Sequence, residues 1–415
     1  MRDRESMRVA VVVLGDLGRS PRMQYHAEAL AAHQVDVDLV ARAGSAPIAE
    51  LRGHPRITCH LLPPAREGSL PALLLVPVAA ARAVAQALRL VFLFLIVLRK
   101  PDVILVQNPP AIPTLLVALV AARLRRARLV VDWHNFGWTV LALALGRRHP
   151  AVGLARWFET TLGRRADAHL CVSQALQNVL QARWRIRPVT VLRDRPAGRF
   201  TPLTAEARRA RRRRLFDTLG VGGPEPALIV SPTSWTRDED FDLLLDAVRR
   251  CEARLVERAG FPGVLVLLTG RGPRRAHYEA AIAALPGRGV RVRTAWLEPD
   301  DYPGALAAAD LGLCLHRSSS GLDLPMKIAD LHGAGVPVCA LDYGPCLDEI
   351  LRHDETGLRF GDAETLAGQW LELFADFPHA TPHLDRLRAH VEKTRGATWR
   401  AGWDAEARGV LLAHD

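Results

Sequence analysis

No C-x-x-C pair occurs among the six cysteines, Cys59, Cys171, Cys251, Cys314, Cys339 and Cys346, and most of them sit inside apolar runs. That pattern excludes a zinc knuckle and a disulfide framework and points to reduced thiols in a cytosolic setting. The first residues, MRDRESMRVAVVVLGD, pass from a short charged tail straight into a strand-like run. They lack the apolar stretch and cleavage site of a signal peptide, so neither secretion nor an N-terminal membrane anchor is expected. An unbroken apolar run of spanning length is missing too. The most apolar stretch, 70–100, is interrupted by Arg82, Gln86 and Arg89, leaving the nine residues LVFLFLIVL against the ~20 that a bilayer requires. It reads either as a core helix or as an amphipathic helix at the lipid interface with its arginines toward anionic head groups. The run from Ile112 to Ala122 reads as a buried helix. Short-period repeats and low-complexity tracts are absent.

What is present suits a globular enzyme. The 415 residues exceed one ordinary hydrophobic core, and 49% of them are hydrophobic and 24% charged. Two lobes are therefore expected. The formal net charge of +11 favours an anionic partner: nucleic acid, acidic lipid or a phosphorylated substrate. Basic patches interleaved with aromatics are lacking, so no nucleic-acid partner is expected.

Valine-rich runs recur with helical stretches between them: RVAVVVL (8–14), VDVDLVA (35–41), PDVILVQ (101–107), ARLVVDW (127–133) and AHLCVS (168–173). A second series follows: ALIVSP (227–232), VLVLLTG (264–270), VRVRT (290–294), LGLCLH (311–316) and VPVCALD (336–342). This alternation predicts two Rossmann-like α/β halves built on parallel sheets. The boundary falls near 195–225, where proline, glycine and six arginines between Arg208 and Arg214 mark a linker and entry helix. That arginine run reads as a solvated helix face or a phosphate grip.

Ligands of such sheets bind beyond the carboxyl ends of the strands, which picks out the loops that follow the apolar runs. After the first run, Gly15 and Gly18 can turn backbone amides toward an anion or sugar, and Asp16 is a candidate general base or a turn residue. VVDWHNFG brings His134, a second candidate base or a structural hydrogen-bonding residue, and Asn135 to another strand end. In TSWTRDED the hydroxyls of Thr233 and Ser234 can bond a phosphate or cap a helix. The DED triple there is too common a pattern to predict a metal, and none is expected. Gly270-Arg271-Gly272 forms a strand-end turn or an anion cradle with a counter-charge. The loop SSSGLD, Ser318 to Asp323, leads into a helix started by Pro325. There Lys327 can neutralise a diphosphate and Asp330 can accept ribose hydroxyls, or the two form an exposed helix pair.

These segments, with KPDVILVQNPPAIPTL, VLRDRP, WLEPDDYP and GVPVCALD, resemble in order and spacing the chitobiosyldiphosphodolichol beta-mannosyltransferase family of the dolichol pathway, over about 8–360 and more loosely beyond. The resemblance implies a GT-B fold. It implies an acceptor- and membrane-facing domain at 1–200, a linker and entry helix at 201–225, a nucleotide-sugar domain at 226–385, and a terminal helix, 386–415, packing back toward the first domain. It further implies inverting transfer of mannose from GDP-mannose to the outer GlcNAc 4-hydroxyl of a polyprenyl or dolichyl diphosphate chitobiose, without a cofactor. Site residues follow: Asp16 or His134 as base; Gly15, Gly18, Arg19, Ser20 and Asn135 toward the acceptor. The donor would meet Thr233, Ser234, Gly270, Arg271, Gly272, Ser319, Ser320, Gly321, Leu322, Asp323, Lys327 and Asp330. Two departures stand out. The paired glutamates of broader GT-B relatives are replaced by Leu322 and Asp330, and the basic residues usual after the first strand of the nucleotide domain give way to TSWTRDED. The implied location is the cytosolic face of a membrane, held there by 70–100 and basic surface, with other lipid-linked-oligosaccharide mannosyltransferases as further partners. A transferase for another nucleotide sugar or lipid acceptor, or a silent scaffold of the same fold, are the alternatives.

Overall fold

The computed structural model describes residues 6–64, 72–255 and 263–413. Two compact units emerge: residues 1–193 together with 400–415, and residues 194–399.

The first unit is a parallel sheet of seven strands: β1 (Arg8–Asp16), β2 (Asp36–Arg42), β3 (Ile57–Leu62), β4 (Val103–Asn108), β5 (Arg128–Trp133), β6 (Ala168–Cys171) and β7 (Val189–Val191). Their spatial order is β3-β2-β1-β4-β5-β6-β7. Parallel strands buried on both faces need continuous apolar runs, and Val9 to Val13 of β1 and Val103 to Val106 of β4 are all essentially inaccessible. The connecting helices are α1 (Pro21–Ala32), α2 (Ala72–Phe92), α3 (Thr114–Arg125), α4 (Gly137–Leu145), α5 (Pro150–Gly163) and α6 (Gln174–Ala182). Pro21 opens α1, where its missing N–H costs nothing, and Ser173 caps α6 by accepting from Leu176 N at 3.0 Å.

The second unit is a parallel sheet of six strands: β8 (Ala227–Pro232), β9 (Val264–Thr269), β10 (Val290–Ala295), β11 (Leu311–Cys314), β12 (Val338–Leu341) and β13 (Gly357–Phe360), in the order β10-β9-β8-β11-β12-β13. Around it run α7 (Ala205–Thr218), α8 (Phe241–Leu255), α9 (Arg275–Ala283), α10 (Tyr302–Ala307), α11 (Met326–Gly333), α12 (Ala363–Leu373) and α13 (Pro382–Thr394). Half of its arginine run is paired with the body of the unit. Arg208 and Arg212 both reach Asp310 at 2.7 Å and Arg211 reaches Asp301 at 2.6 Å, tying α7 to the body, while Arg209, Arg213 and Arg214 face solvent.

Three expectations change. Within the stretch 70–100, of which 70 and 71 lie outside the described residues, α2 runs as one continuous helix prolonged by a wider π-helical turn at Leu93–Val97. The part Pro77–Val97 has the length and composition to cross a bilayer, because Arg82 and Arg89 interrupt the apolar sequence but not the helix. It is docked through Gln86, Leu90, Leu93 and Phe94, whereas Leu88, Phe92 and Ile96 are exposed. The helix expected at Ile112–Ala122 is only half buried: α3 leaves Leu116, Val120 and Leu124 in solvent, since one stripe of it finds no partner. Finally, Cys59 lies exposed on the edge strand β3 while the other five cysteines are buried, all six unbridged.

Candidate active site

In the first unit β1, β4 and β5 end side by side, and sheet order reverses between β1 and β4, the place where a crevice opens in a doubly wound sheet. At the end of β5, Asp132 is wholly buried. Arg22 of α1 grips it with both prongs, Nε to Oδ2 at 2.7 Å and Nη2 to Oδ1 at 2.9 Å. His26, one turn further along α1, donates from Nε2 to the same carboxylate at 3.2 Å. Its Nδ1 accepts from the Trp403 indole at 3.0 Å, which fixes the proton on Nε2. Burial holds His26 below its ordinary pKa and therefore neutral. Burial opposes the Asp132 charge too, but Arg22 and the imidazoles outweigh it and hold this carboxyl well below the usual range.

His134 is the exposed member of this cluster. Its Nε2 meets Asp132 Oδ2 at 2.9 Å and its side chain is 21% exposed. A permanently ionised carboxylate on Nε2 keeps the proton there and leaves Nδ1 with its lone pair, which has no protein partner among the described residues. Such a pair can take a proton from a hydroxyl and stabilise the resulting imidazolium.

Asp16 is placed differently. Its carboxylate accepts from Gly18 N at 3.0 Å, Ser45 N at 2.9 and 3.0 Å, and Ser45 Oγ at 3.0 Å. It thus ties the loop after β1 to the loop after β2, and the Gly18 amide expected to face acceptor is spent on it. The Ser20 hydroxyl donates to Asp16 O at 2.8 Å, Arg19 is exposed, and Gly15 is half-buried. Asn135 turns its Oδ1 back to Phe136 N at 2.7 Å.

The sequence reading missed Glu159. Fully buried on α5, it accepts from Gly137 N at 2.9 Å and Trp138 N at 3.3 Å at the start of α4, and from Asn108 Nδ2. Asn108 also accepts from His134 N through its carbonyl at 2.8 Å. Glu159 therefore braces the backbone that carries His134. Burial pushes its carboxyl up to about 7 against the pull of those donors. In sequence the only signal is a lone acid within the apolar stretch RWFETTLG.

In the second unit β9, β8 and β11 end together, again where strand order reverses. Gly270, at φ +121°, and Gly272 are dictated by contact: a Cβ on them would come within 1.9 Å of Thr233 O and 1.8 Å of Ser234 O. The two strand-end loops are thus pressed together, with the Thr233 hydroxyl buried and unbonded at the join. Arg271 projects outward over the Trp296 ring, 4.2 Å from its centroid.

The RDED segment proves to be a clamp. Asp238 bonds His316 Nδ1 at 3.2 Å, and Glu239, itself buried, holds Lys327 Nζ at 2.5 Å. Asp323 takes His316 Nε2 at 2.9 Å. Burial disfavours the His316 charge, but Asp238 and Asp323 overcome it and raise this imidazole to about 9. Lys327 is likewise raised, burial being outweighed chiefly by Glu239. The carboxylates of the triple thus face cations of their own unit.

Two donor-side expectations are modified. In SSSGLD the amides of Gly321 and Leu322 are taken by the hydroxyls of Ser318, at 2.8 and 3.2 Å, and Ser320, at 3.2 Å, so they do not point at a diphosphate; Ser319 is half-buried in the same loop. Burial pushes the Asp330 carboxyl up to about 7, against the pull of Arg199 and Tyr302 and with Asp194 adding to the push, and leaves it poorly placed to receive ribose.

A glycosyl transferase 4-like domain is recognised at residues 18–195. Over 97% of its length the chain is 39% identical to human chitobiosyldiphosphodolichol beta-mannosyltransferase, covering 92% of that protein. The chain belongs to the chitobiosyldiphosphodolichol beta-mannosyltransferase family. It is therefore a glycosyltransferase. It is equally close, at 39% identity with 97% of both chains covered, to a protein of Arabidopsis thaliana named UDP-glycosyltransferase TURAN. Sucrose-phosphate synthase from Thermosynechococcus elongatus matches it with a TM-score of 0.65 at 17% identity, covering 97% of this chain and 96% of that one. At that distance the likeness concerns the fold, which is GT-B. Family membership gives the two strand-end clusters their context: one per Rossmann-like unit.

Proposed function

We propose that the chain transfers mannose from GDP-mannose to the 4-hydroxyl of the outer GlcNAc of a chitobiosyl diphosphate polyprenol, forming a β-1,4 linkage with inversion. Family membership supports the acceptor class, and the His134–Asp132 pair is the observation that carries the chemistry. The acceptor oxygen attacks the anomeric carbon opposite the diphosphate. The bond from that carbon to the phosphate oxygen breaks, its electron pair leaves with GDP, and the hydroxyl proton passes to His134 Nδ1. Asp132, held anionic by Arg22, stabilises the imidazolium so formed. Asp16 is the weaker base because its carboxylate already takes three donors. In the second unit the outward-facing Arg271 and the partly accessible Lys327 offer charge to the departing diphosphate. Family membership and the largely exposed apolar helix α2 support a position at a membrane. The name of the Arabidopsis relative favours one other reading, a UDP-sugar donor. Incubation with radiolabelled GDP-mannose and UDP-sugars in parallel, with a synthetic chitobiosyl diphosphate lipid, separates them. Transfer from GDP-mannose alone is expected, and transfer from a UDP-sugar alone overturns the proposal.

A further inference from the structure

Apart from Leu61, every exposed large apolar side chain among the described residues falls between Val84 and Trp157. Only part of that set belongs to α2. On α3 the exposed residues are Leu116, Val120 and Leu124, spaced by four, so they form one stripe. Helix α4 adds Val140 and Leu143, and α5 adds Leu154 and Trp157, each pair spaced by three. The helices pack in series, α2 on α3, α3 on α5 and α5 on α4, so the elements that carry the stripes are neighbours. Leu124 at 64% and Trp157 at 62% exposure are far too open for core residues.

Charge identifies the occupant. Along α2, α3, α4 and α5 the single acidic residue is Glu159, which points inward, whereas Arg82, Arg89, Arg123 and Arg156 lie on the same helices and Arg99, Lys100, Arg147 and Arg148 at their ends. Arg123 also meets the partly exposed Asp167, which follows α5, at 3.6 Å, but helices that carry an apolar face, several cations and no exposed carboxylate of their own match an anionic lipid surface, where side chains enter the acyl boundary and arginines meet phosphates. A second copy of the chain would bring the same cations against themselves.

We propose that α3, α4 and α5 form a second membrane-docking face, separate from α2, that seats the His134 loop at the bilayer surface. The inference rests on the lipid-linked acceptor of the preceding section. Helix α4 starts three residues after His134 and is braced by Glu159 of α5, two residues from Trp157, so the face and the proposed base share one rigid block.

The test uses the full chain with α2 unchanged. Partition onto phosphatidylcholine vesicles with and without phosphatidylglycerol is measured for wild type, for Leu154→Glu/Trp157→Glu and for Leu116→Glu/Leu124→Glu. The milder pair Leu154→Ser/Trp157→Ser is included, with circular dichroism to verify the fold. Transfer to a water-soluble, short-chain chitobiosyl diphosphate is assayed alongside. Each α3 or α5 variant is expected to bind anionic vesicles ~10-fold or more weakly while keeping wild-type transfer to the soluble acceptor. Folded variants that partition like wild type overturn the inference, as does a wild-type dimer that these substitutions dissolve. Absence of transfer to the soluble acceptor by wild type would count against the proposed reaction instead, and the vesicle result would still decide the face.

Discussion

Replacing Asp132 by Asn keeps the size of the side chain and removes its charge, and the consequences can be worked out separately for stability and catalysis. Arg22 is 1% exposed and has its Nε and Nη2 on this carboxylate. Taking the charge from one side of a buried pair leaves the other uncompensated, which costs ~3–5 kcal/mol and lowers the melting temperature by roughly 10 °C. The catalytic effect runs through His134. An amide can turn either oxygen or nitrogen to Nε2, so the tautomer is no longer enforced, and the imidazolium loses its counter-charge. Loss of a positioned base costs ~10²–10⁴ in rate. His134→Gln separates the two effects, because that side chain is partly exposed and has one side-chain partner, so its loss costs ~1 kcal/mol or less while the rate penalty remains. The assay is kcat with GDP-mannose and a chitobiosyl diphosphate lipid, beside thermal melts of both variants. A His134→Gln protein as fast as wild type would refute the reasoning, and so would an Asp132→Asn protein as stable as wild type.

Other consequences follow from the same contacts. His316 is raised to about 9 by its two carboxylates, so its stabilising effect is complete below its unfolded pKa and is lost as the pH climbs through the folded one. Denaturant melts of wild type should therefore lose up to ~3 kcal/mol between about pH 6.5 and pH 9, and His316→Gln should flatten that slope. Gly270→Ala would drive a methyl into Thr233 O at a φ of +121°, and a loss of ~3 kcal/mol or more in thermal melts is expected, with weakened GDP binding by calorimetry. Lys327→Met strands the buried Glu239, so the donor KM should rise and stability fall, with Glu239→Gln in the same chain restoring much of the stability but not the KM. Glu159→Ala orphans the Gly137 and Trp138 amides, at ~1–3 kcal/mol for each unsatisfied group, leaves Asn108 Nδ2 only its bond to Asn135 O, and should lower kcat by loosening the His134 loop.

The strands that are central in each sheet were legible because both of their faces are covered and their sequences are apolar throughout, as in RVAVVVL and VLVLLT. Those that escaped notice, β3, β7 and β13, are all edge strands. ITCHLL has exposed residues along its length, and β7 and β13 are three and four residues long, too short for periodicity to speak. The sites were legible as positions and less so as roles. Asp16 and His134 both stand at strand ends, yet only the partners distinguish them, and Ser45, Arg22 and His26 are remote or unremarkable in sequence. The acids of RDED had no role legible in sequence because their counterparts, His316 and Lys327, lie roughly eighty to ninety residues away. The apolar surface of α3, α4 and α5 was hidden for a different reason: periodicity reveals that a helix has an apolar face, but not whether anything covers it.

The most direct measurement is the product of the reaction. Purified protein, GDP-mannose and a synthetic chitobiosyl diphosphate lipid should yield a trisaccharide whose new anomeric proton and carbon, read by NMR, show a β-mannoside on O4, and His134→Gln should suppress that signal. An α-linked product, or mannose on another hydroxyl, would contradict the account.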